Sequence, residues 1–228
     1  MQIHIVSLFP ELFESFLHTS LIAKAQEKQI LHFKLHNPRD YCQDKHQQVD
    51  DQIYGGGDGM LIKAQPVVDA VETIIKNNKL KKSDFSILFP SPAQEVFNQK
   101  IAYGLSKKEH LIFVCGRYEG IDYRCEAYLA QKYPEAFRKL SLGQFIVLWG
   151  ELPSMLMIEA ITRLIPGVIK EKGSRIEESY ALKSGMNNLE APNYTRPLEV
   201  FGMQVPEVLL SGDDEAIQQR KNEHQKQL

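Results

Sequence analysis

The chain has 228 residues, 43% of them hydrophobic and 25% charged, with 14 Gly and 11 Pro, a composition that excludes disordered, collagenous and membrane-spanning classes. A formal net charge of −2 excludes nucleic-acid binding by overall positive charge and leaves a local basic surface as the only route to it. Cys42, Cys115 and Cys125 are irregularly spaced and form no Cys-x-x-Cys pair, so neither a disulfide framework nor a zinc site is expected, and a reduced, cytoplasmic protein is.

The first segment, 1–16, contains Glu11 and Glu14 and lacks the basic-then-apolar order of a secretory signal. No apolar run reaches the length of a membrane span, so no membrane partner is expected. Apolar runs at 3–8, 31–35, 86–89, 111–115 and 145–148 are short, β-rich and nearly continuous, as strands buried on both faces should be. Between them lie helical patterns at 11–17, 21–28, 66–75, 97–105, 123–131 and 152–164. This alternation predicts an α/β fold with a parallel sheet. After Pro166 and Gly167 the stretch 170–178 is charged and contains Gly173, which reads as an exposed linker. Beyond it, 193–197 and 205–212 are rich in turn residues, and 213–224 is a final helix, acidic at its start with Arg220 and Lys221 later. The expected organisation is a first domain over 1–169, a linker over 170–190, and a small, mainly helical C-terminal domain over 191–228.

Four groups of residues can carry chemistry. Tyr54-Gly55-Gly56-Gly57-Asp58-Gly59-Met60 is the densest glycine cluster; it either adopts positive φ in a tight loop or lets a ligand approach the backbone. No Gly-Lys-Ser/Thr follows it, and its spacing is not Gly-x-Gly-x-x-Gly, so the standard nucleotide loops are excluded. Cys115-Gly116-Arg117-Tyr118-Glu119-Gly120-Ile121-Asp122 follows a strand and opens a helix, which is where open parallel sheets bind ligands. There Gly116 permits close approach and Glu119 can accept hydrogen bonds from ribose hydroxyls, unless the segment is a plain turn with a surface Arg and Glu. In the third, Gly143 and Gly150 bracket the apolar run 145–148, so that backbone amides of two loops can hold an adenine edge. Trp149, the sole tryptophan, reads as core or interface. The adjacent acids Glu177 and Glu178 read as a solvated surface of the linker or, with the guanidinium of Arg163, as a candidate proton acceptor and anion stabiliser. The seven histidines have no metal-ligand spacing, so no metal is expected.

Taken together, a series of blocks in order resembles the bacterial tRNA (guanine-N1)-methyltransferases of the SPOUT class. They are Leu8-Phe9-Pro10-Glu11-Leu12-Phe13, Asn37-Pro38-Arg39-Asp40-Tyr41, and Lys45-His46 through Val49-Asp50-Asp51 to Gly57. Cys115 to Asp122, Gly150-Glu151-Leu152-Pro153 and Arg163-Leu164-Ile165-Pro166-Gly167-Val168 follow. Tyr194-Thr195-Arg196-Pro197 and Val208-Leu209-Leu210-Ser211-Gly212 complete the series.

The resemblance implies a SPOUT-type α/β domain with a deep trefoil knot, a homodimer whose active site is shared between subunits, and a C-terminal domain that binds tRNA. The implied reaction is methyl transfer from S-adenosylmethionine to N1 of the guanine just 3′ of the anticodon. Cofactor contacts are then expected at Phe89, Pro90, Ser91 and Pro92, at Gly116, Tyr118 and Glu119, and at Leu142, Gly143, Gln144, Phe145, Ile146, Val147, Gly150 and Pro153. Substrate contacts are expected at Asp51, Tyr54, Gly55, Gly56, Gly57 and Gly59. Arg163 aligns with the family's catalytic arginine, and Glu178, before Ser179-Tyr180, with its catalytic aspartate. Gln144 stands where an aspartate is expected, Trp149 at the first of two glycines, and apparent insertions lie near 133–137 and 182–187. Lys170, Lys172, Arg175 and Lys183 are the expected phosphate contacts. Two alternatives stay open on the sequence: a weak or inactive RNA-binding relative, and a SPOUT enzyme acting at another RNA site.

Overall fold

A computed structural model of the chain describes residues 1–169, 178–181 and 188–227. Most of the expected linker, with Lys170, Lys172, Arg175, Glu177 and Lys183, lies outside the described residues. The chain divides into two compact units, Met1–Lys170 and Glu171–Leu228.

The first unit opens with β1 (Gln2–Val6), α1 (Glu14–Leu17), α2 (Ser20–Glu27) and β2 (His32–His36). A hairpin of β3 (Asp50–Gln52) and β4 (Met60–Ile62) follows, then α3 (Ala64–Asn77), β5 (Phe85–Pro90), α4 (Gln99–Leu105) and β6 (His110–Val114). The unit closes with α5 (Tyr123–Lys132), β7 (Phe137–Leu140) and α6 (Glu151–Thr162). Five strands form one sheet in the order β2-β1-β6-β5-β7, and every neighbouring pair is parallel.

Side chains that alternate along each strand feed two cores, one per face. Ile87 and Ile112 join Val71 and Ile74 of α3 and Leu129 of α5 in one core. Leu88 and Phe113 join Leu17, Ile22, Leu105, Met157 and Ile161 in the other, beneath α1, α2, α4 and α6. Burying each such side chain contributes about 1.5–3 kcal/mol, so these layers fix the strand ends relative to one another. In α3 the buried Val67, Ala70, Val71 and Ile74 recur at three- and four-residue spacing, one face of a helix. Helix α5 starts at Asp122, whose carboxylate accepts from the backbone N–H of Arg124 at 2.9 Å.

Besides the unexpected hairpin of β3 and β4, the strand pattern departs from expectation around 137–148. Residues 145–148 are not a strand: they run outside the sheet, and Ile146 and Leu148 are each 80% exposed. The strand in that part of the chain is β7, whose apolar ends enclose Arg138 and Lys139. These cations pair with Glu95 and Glu126, so ion pairing rather than an apolar run accommodates the strand in the fold. At the other sheet edge, β2 is exposed or half-buried at every position, because it pairs only with β1.

The second unit, as far as it is described, holds β8 (Asn188–Leu189), β9 (Glu199–Val200), β10 (Met203–Gln204), α7 (Asp214–His224) and β11 (Lys226–Gln227). β8 pairs with β11 and β9 with β10, both antiparallel. Phe201 and Gly202, with φ of 54° and 75°, make the tight turn between β9 and β10. Helix α7 is capped by Asp213, which accepts from the N–H groups of Glu215 and Ala216. Against the expectation of a mainly helical domain, the described residues hold one α-helix beside two short ladders. Among the described residues no helix is long and apolar enough to cross a membrane, and the three cysteines are free.

Candidate active site

The carboxyl ends of β6, β5 and β7, three neighbours in the sheet, lead into the loops that begin at Cys115, Ser91 and Ser141. Ser91 N–H donates to the Leu140 carbonyl at 3.0 Å, and Ser141 N–H donates to the Glu95 carbonyl at 2.9 Å, tying two of these loops together. Gly150, at the start of α6, donates its N–H to the Gly116 carbonyl at 2.9 Å. A β carbon at Gly150 would sit 2.6 Å from the backbone nitrogen of Gly116, so only glycine permits this approach.

These loops enclose a cavity of about 290 Å³, lined by Pro90, Ser91 and Pro92, by Gly116, Tyr118 and Glu119, and by Leu142, Phe145, Ile146, Val147, Gly150 and Pro153. Three expected cofactor residues stand apart from its lining. Phe89 is 5% exposed and packs its ring 5.1 Å from that of Phe137 in the core. Gly143 makes the turn after β7: at φ 146° it donates its N–H to Ser141 Oγ, which in turn donates to the Gly143 carbonyl. Gln144 is exposed beyond that turn.

The glycine cluster joins the same region. Glu119 N–H donates to the Met60 carbonyl, Ile62 N–H to the Gly120 carbonyl, and Asp122 N–H to the Ile62 carbonyl. The hairpin is thereby bonded to the loop after β6, and Gly59 lies against the Glu119 side chain. Gly55, Gly56 and Gly57 all have positive φ, and a β carbon on any of them would meet nothing within 4 Å, so backbone conformation accounts for them. Asp51 and Tyr54 line a separate groove of about 1080 Å³ against α3 and α5, where Asp51 is 3.6 Å from Lys63 in an exposed pair.

Arg117 is the residue whose importance the sequence does not reveal. Its side chain is only 10% exposed, and its guanidinium contacts two aromatic rings, 4.2 Å from the Phe9 centroid and 4.3 Å from that of Trp149. Its Nε is 3.2 Å from the carboxylate of Glu151, which is buried in the first turn of α6 and also accepts from Ser7 Oγ at 2.7 Å. The only sequence signal is the placement of Arg117 two residues after a buried strand end. Cys115 beside it is buried, and burial, then the Glu151 charge, pushes its thiol well above the usual range.

Arg163 caps α6 in the first unit, its N–H donating to the Glu159 carbonyl at 3.2 Å. Glu178 lies in the second unit, where its carbonyl accepts from Ala181 N–H at 3.1 Å. Among the described residues no group of three or more potential metal ligands is present.

The family model for tRNA (Guanine-1)-methyltransferase TrmD matches residues 1–228. The chain belongs to this family. It is similar to the tRNA (guanine-N(1)-)-methyltransferase of Dictyoglomus turgidum, 42% identical over 217 residues that are 95% of this chain and 82% of the relative. The Bacillus subtilis protein of that name is 42% identical over 222 residues, 97% of this chain and 86% of the relative. The Carboxydothermus hydrogenoformans one is 45% identical over 217 residues, 95% and 79% respectively. Trp149 packs on Arg117 and remains 43% exposed rather than entering the core.

Proposed function

We propose that this chain transfers a methyl group from S-adenosylmethionine to N1 of the guanine immediately 3′ of the anticodon in tRNA. The observation that carries the reading is the convergence of three strand-end loops on one crevice at the carboxyl edge of a parallel sheet, with the glycine hairpin bonded to one of those loops. The residues there suit the cofactor. Gly116 and Gly150 line the pocket with no side chain and so let a nucleobase approach the backbone, Leu142, Ile146 and Val147 offer an apolar surface, and Glu119 an acceptor for ribose hydroxyls. When bound, S-adenosylmethionine supplies an electrophilic methyl group on a sulfonium.

Guanine N1 holds its proton well above neutral pH, so attack on that methyl needs a base at N1. Glu178 is that base in our reading, and Arg163 stabilises the negative charge that spreads to O6. The strand-end loops orient the reacting atoms, an effect for which an error of about 1 Å costs on the order of a hundredfold in rate. The second unit, with residues 191–228, and the cations of the linker hold the tRNA.

The trefoil knot and the homodimer with a shared site belong to the same reading, with Glu178 serving the cofactor of the partner subunit. A strip of exposed apolar side chains, Phe145, Ile146, Leu148, Leu152 and Leu156, supports the dimer. Three free cysteines and a tRNA substrate support a cytoplasmic enzyme.

Single-turnover methylation of two matched tRNA transcripts, with guanine or adenine after the anticodon, tests the proposal when Glu178→Gln and Glu177→Gln run alongside. Transfer to the guanine transcript alone, lost only in Glu178→Gln, is the expected result. Bound tRNA without transfer would favour an RNA-binding relative, and a methyl group elsewhere in the RNA a different SPOUT specificity.

A further inference from the structure

We propose that Arg117 is a positioning residue that holds the Trp149 indole as a wall of the methyl-donor pocket, and that Trp149 thereby sets donor affinity. The inference rests on reading that pocket as the S-adenosylmethionine site.

The segment 142–149 supplies much of the pocket lining yet belongs to no helix or strand. Its first end is held by the Ser141–Gly143 turn and its last by the Gly150–Gly116 backbone bond. Between these ends Phe145, Ile146 and Leu148 are more than half exposed and give the segment little purchase on the core. Trp149 is different, because one face of its indole rests on the Arg117 guanidinium. That guanidinium is held in turn: its central carbon lies 4.2 Å from the Phe9 ring centroid, and the buried Glu151 carboxylate holds its Nε. Glu151 is itself fixed by Ser7, at the end of β1. The chain of contacts therefore runs from the sheet through Ser7, Glu151 and Arg117 to Trp149.

A planar guanidinium in contact with two aromatic rings fixes ring orientation as well as distance, which a lysine does not reproduce. The indole remains 43% exposed and lines the cavity together with Tyr118 and Val147. An aromatic wall held this way is ready for a cationic, aromatic ligand before that ligand arrives, and preorganisation of this kind raises affinity by lowering the cost of ordering the site.

Trp149 is the only tryptophan of the chain, so its emission reports this wall directly. The test titrates the full-length wild type, Trp149→Phe, Trp149→Leu, Arg117→Lys and the Trp149→Leu/Arg117→Lys double variant with S-adenosylhomocysteine by calorimetry. Tryptophan emission is followed in the wild type and in Arg117→Lys. Expected are an emission change on ligand binding, binding weakened about tenfold in Trp149→Leu, and binding within about threefold of wild type in Trp149→Phe. Arg117→Lys weakens binding about as much as Trp149→Leu, moves the emission of the free protein, and adds nothing further in the double variant, because it acts through the indole.

Equal or tighter binding by Trp149→Leu overturns the proposal and leaves the reading of the pocket intact. Additive losses in the double variant overturn the role given to Arg117. No calorimetric binding by the wild type overturns the reading of the pocket and the inference with it.

Discussion

Gly59 and Glu119 are packed so closely that a β carbon on the glycine would stand 2.7 Å from Cγ of the glutamate and 3.0 Å from its Oε1. The contact joins the glycine hairpin to the loop after β6, two motifs far apart in the chain. Gly59 also has a φ of 96°, where a side chain is strained. For Gly59→Ala we expect the single-turnover rate to fall by about ten- to a hundredfold through displacement of Glu119. Gly55→Ala, which has φ of 91° but open space around it, is the control for strain alone. Equal losses in the two variants would show that the contact with Glu119 does not matter.

Gly150 presents a purely steric case. Its β carbon would meet backbone atoms, Gly116 N at 2.6 Å and Cys115 Cα at 2.9 Å, which cannot swing aside as a side chain can. Gly150→Ala should separate α6 from the end of β6 and destabilise the protein by about 1–3 kcal/mol, as overpacking does. Denaturant unfolding measures this, and an unchanged midpoint would mean the junction yields.

The Arg117–Glu151 pair makes a stability prediction of its own. Glu151 is 1% exposed, and among the described residues Oε2 of its carboxylate has no hydrogen-bond partner, so its charge is balanced chiefly by Arg117. Arg117→Met should leave that carboxylate buried without its cation and cost about 3–5 kcal/mol. Arg117→Met/Glu151→Met should recover most of the loss, since removing both charges also removes the desolvation penalty. Urea unfolding of the single and double variants decides the point.

A row of imidazoles crosses the sheet. His4 Nδ1 is 3.1 Å from His36 Nε2, and His4 Nε2 is 3.4 Å from His110 Nδ1. Burial, followed by His36, His110 and Lys34, lowers the His4 pKa to about 3. Burial also lowers His36, against Asp40, and His110, against Glu109 and Asp84. The unfolded chain therefore takes up these protons near pH 6.5 while the folded chain does not. Stability from this source is present above about pH 6.5 and is lost as the pH falls below it, by about 1.4 kcal/mol per pH unit for His4, with His36 and His110 acting in the same direction. Urea midpoints should drop between about pH 7 and about pH 5, above the carboxylate range, and His4→Asn should shallow the drop. Coincident midpoints across that interval would show that the row does not titrate with unfolding.

Helices and central strands were legible in the sequence because each states its own period. The predicted helices all have counterparts, with ends displaced by a few residues, the run at 86–89 lies in β5, and that at 111–115 lies in β6 up to Val114. The run at 145–148 misled because an exposed apolar segment and a buried strand have the same composition, and only burial tells them apart. β7 was missed for the opposite reason, since Glu95 and Glu126 pair with the charges in it. The site shows the same division. Family membership and the types of the candidate cofactor residues follow from local motifs, which the sequence carries whole. Their assembly does not, because it depends on contacts between distant segments: Gly59 against Glu119, Gly150 on Gly116, and Arg117 against Phe9 and Trp149. No local pattern encodes such contacts. They form only when burial of two apolar layers brings the ends of parallel strands side by side, and that proximity, set by tertiary packing, turned separate loops into one pocket.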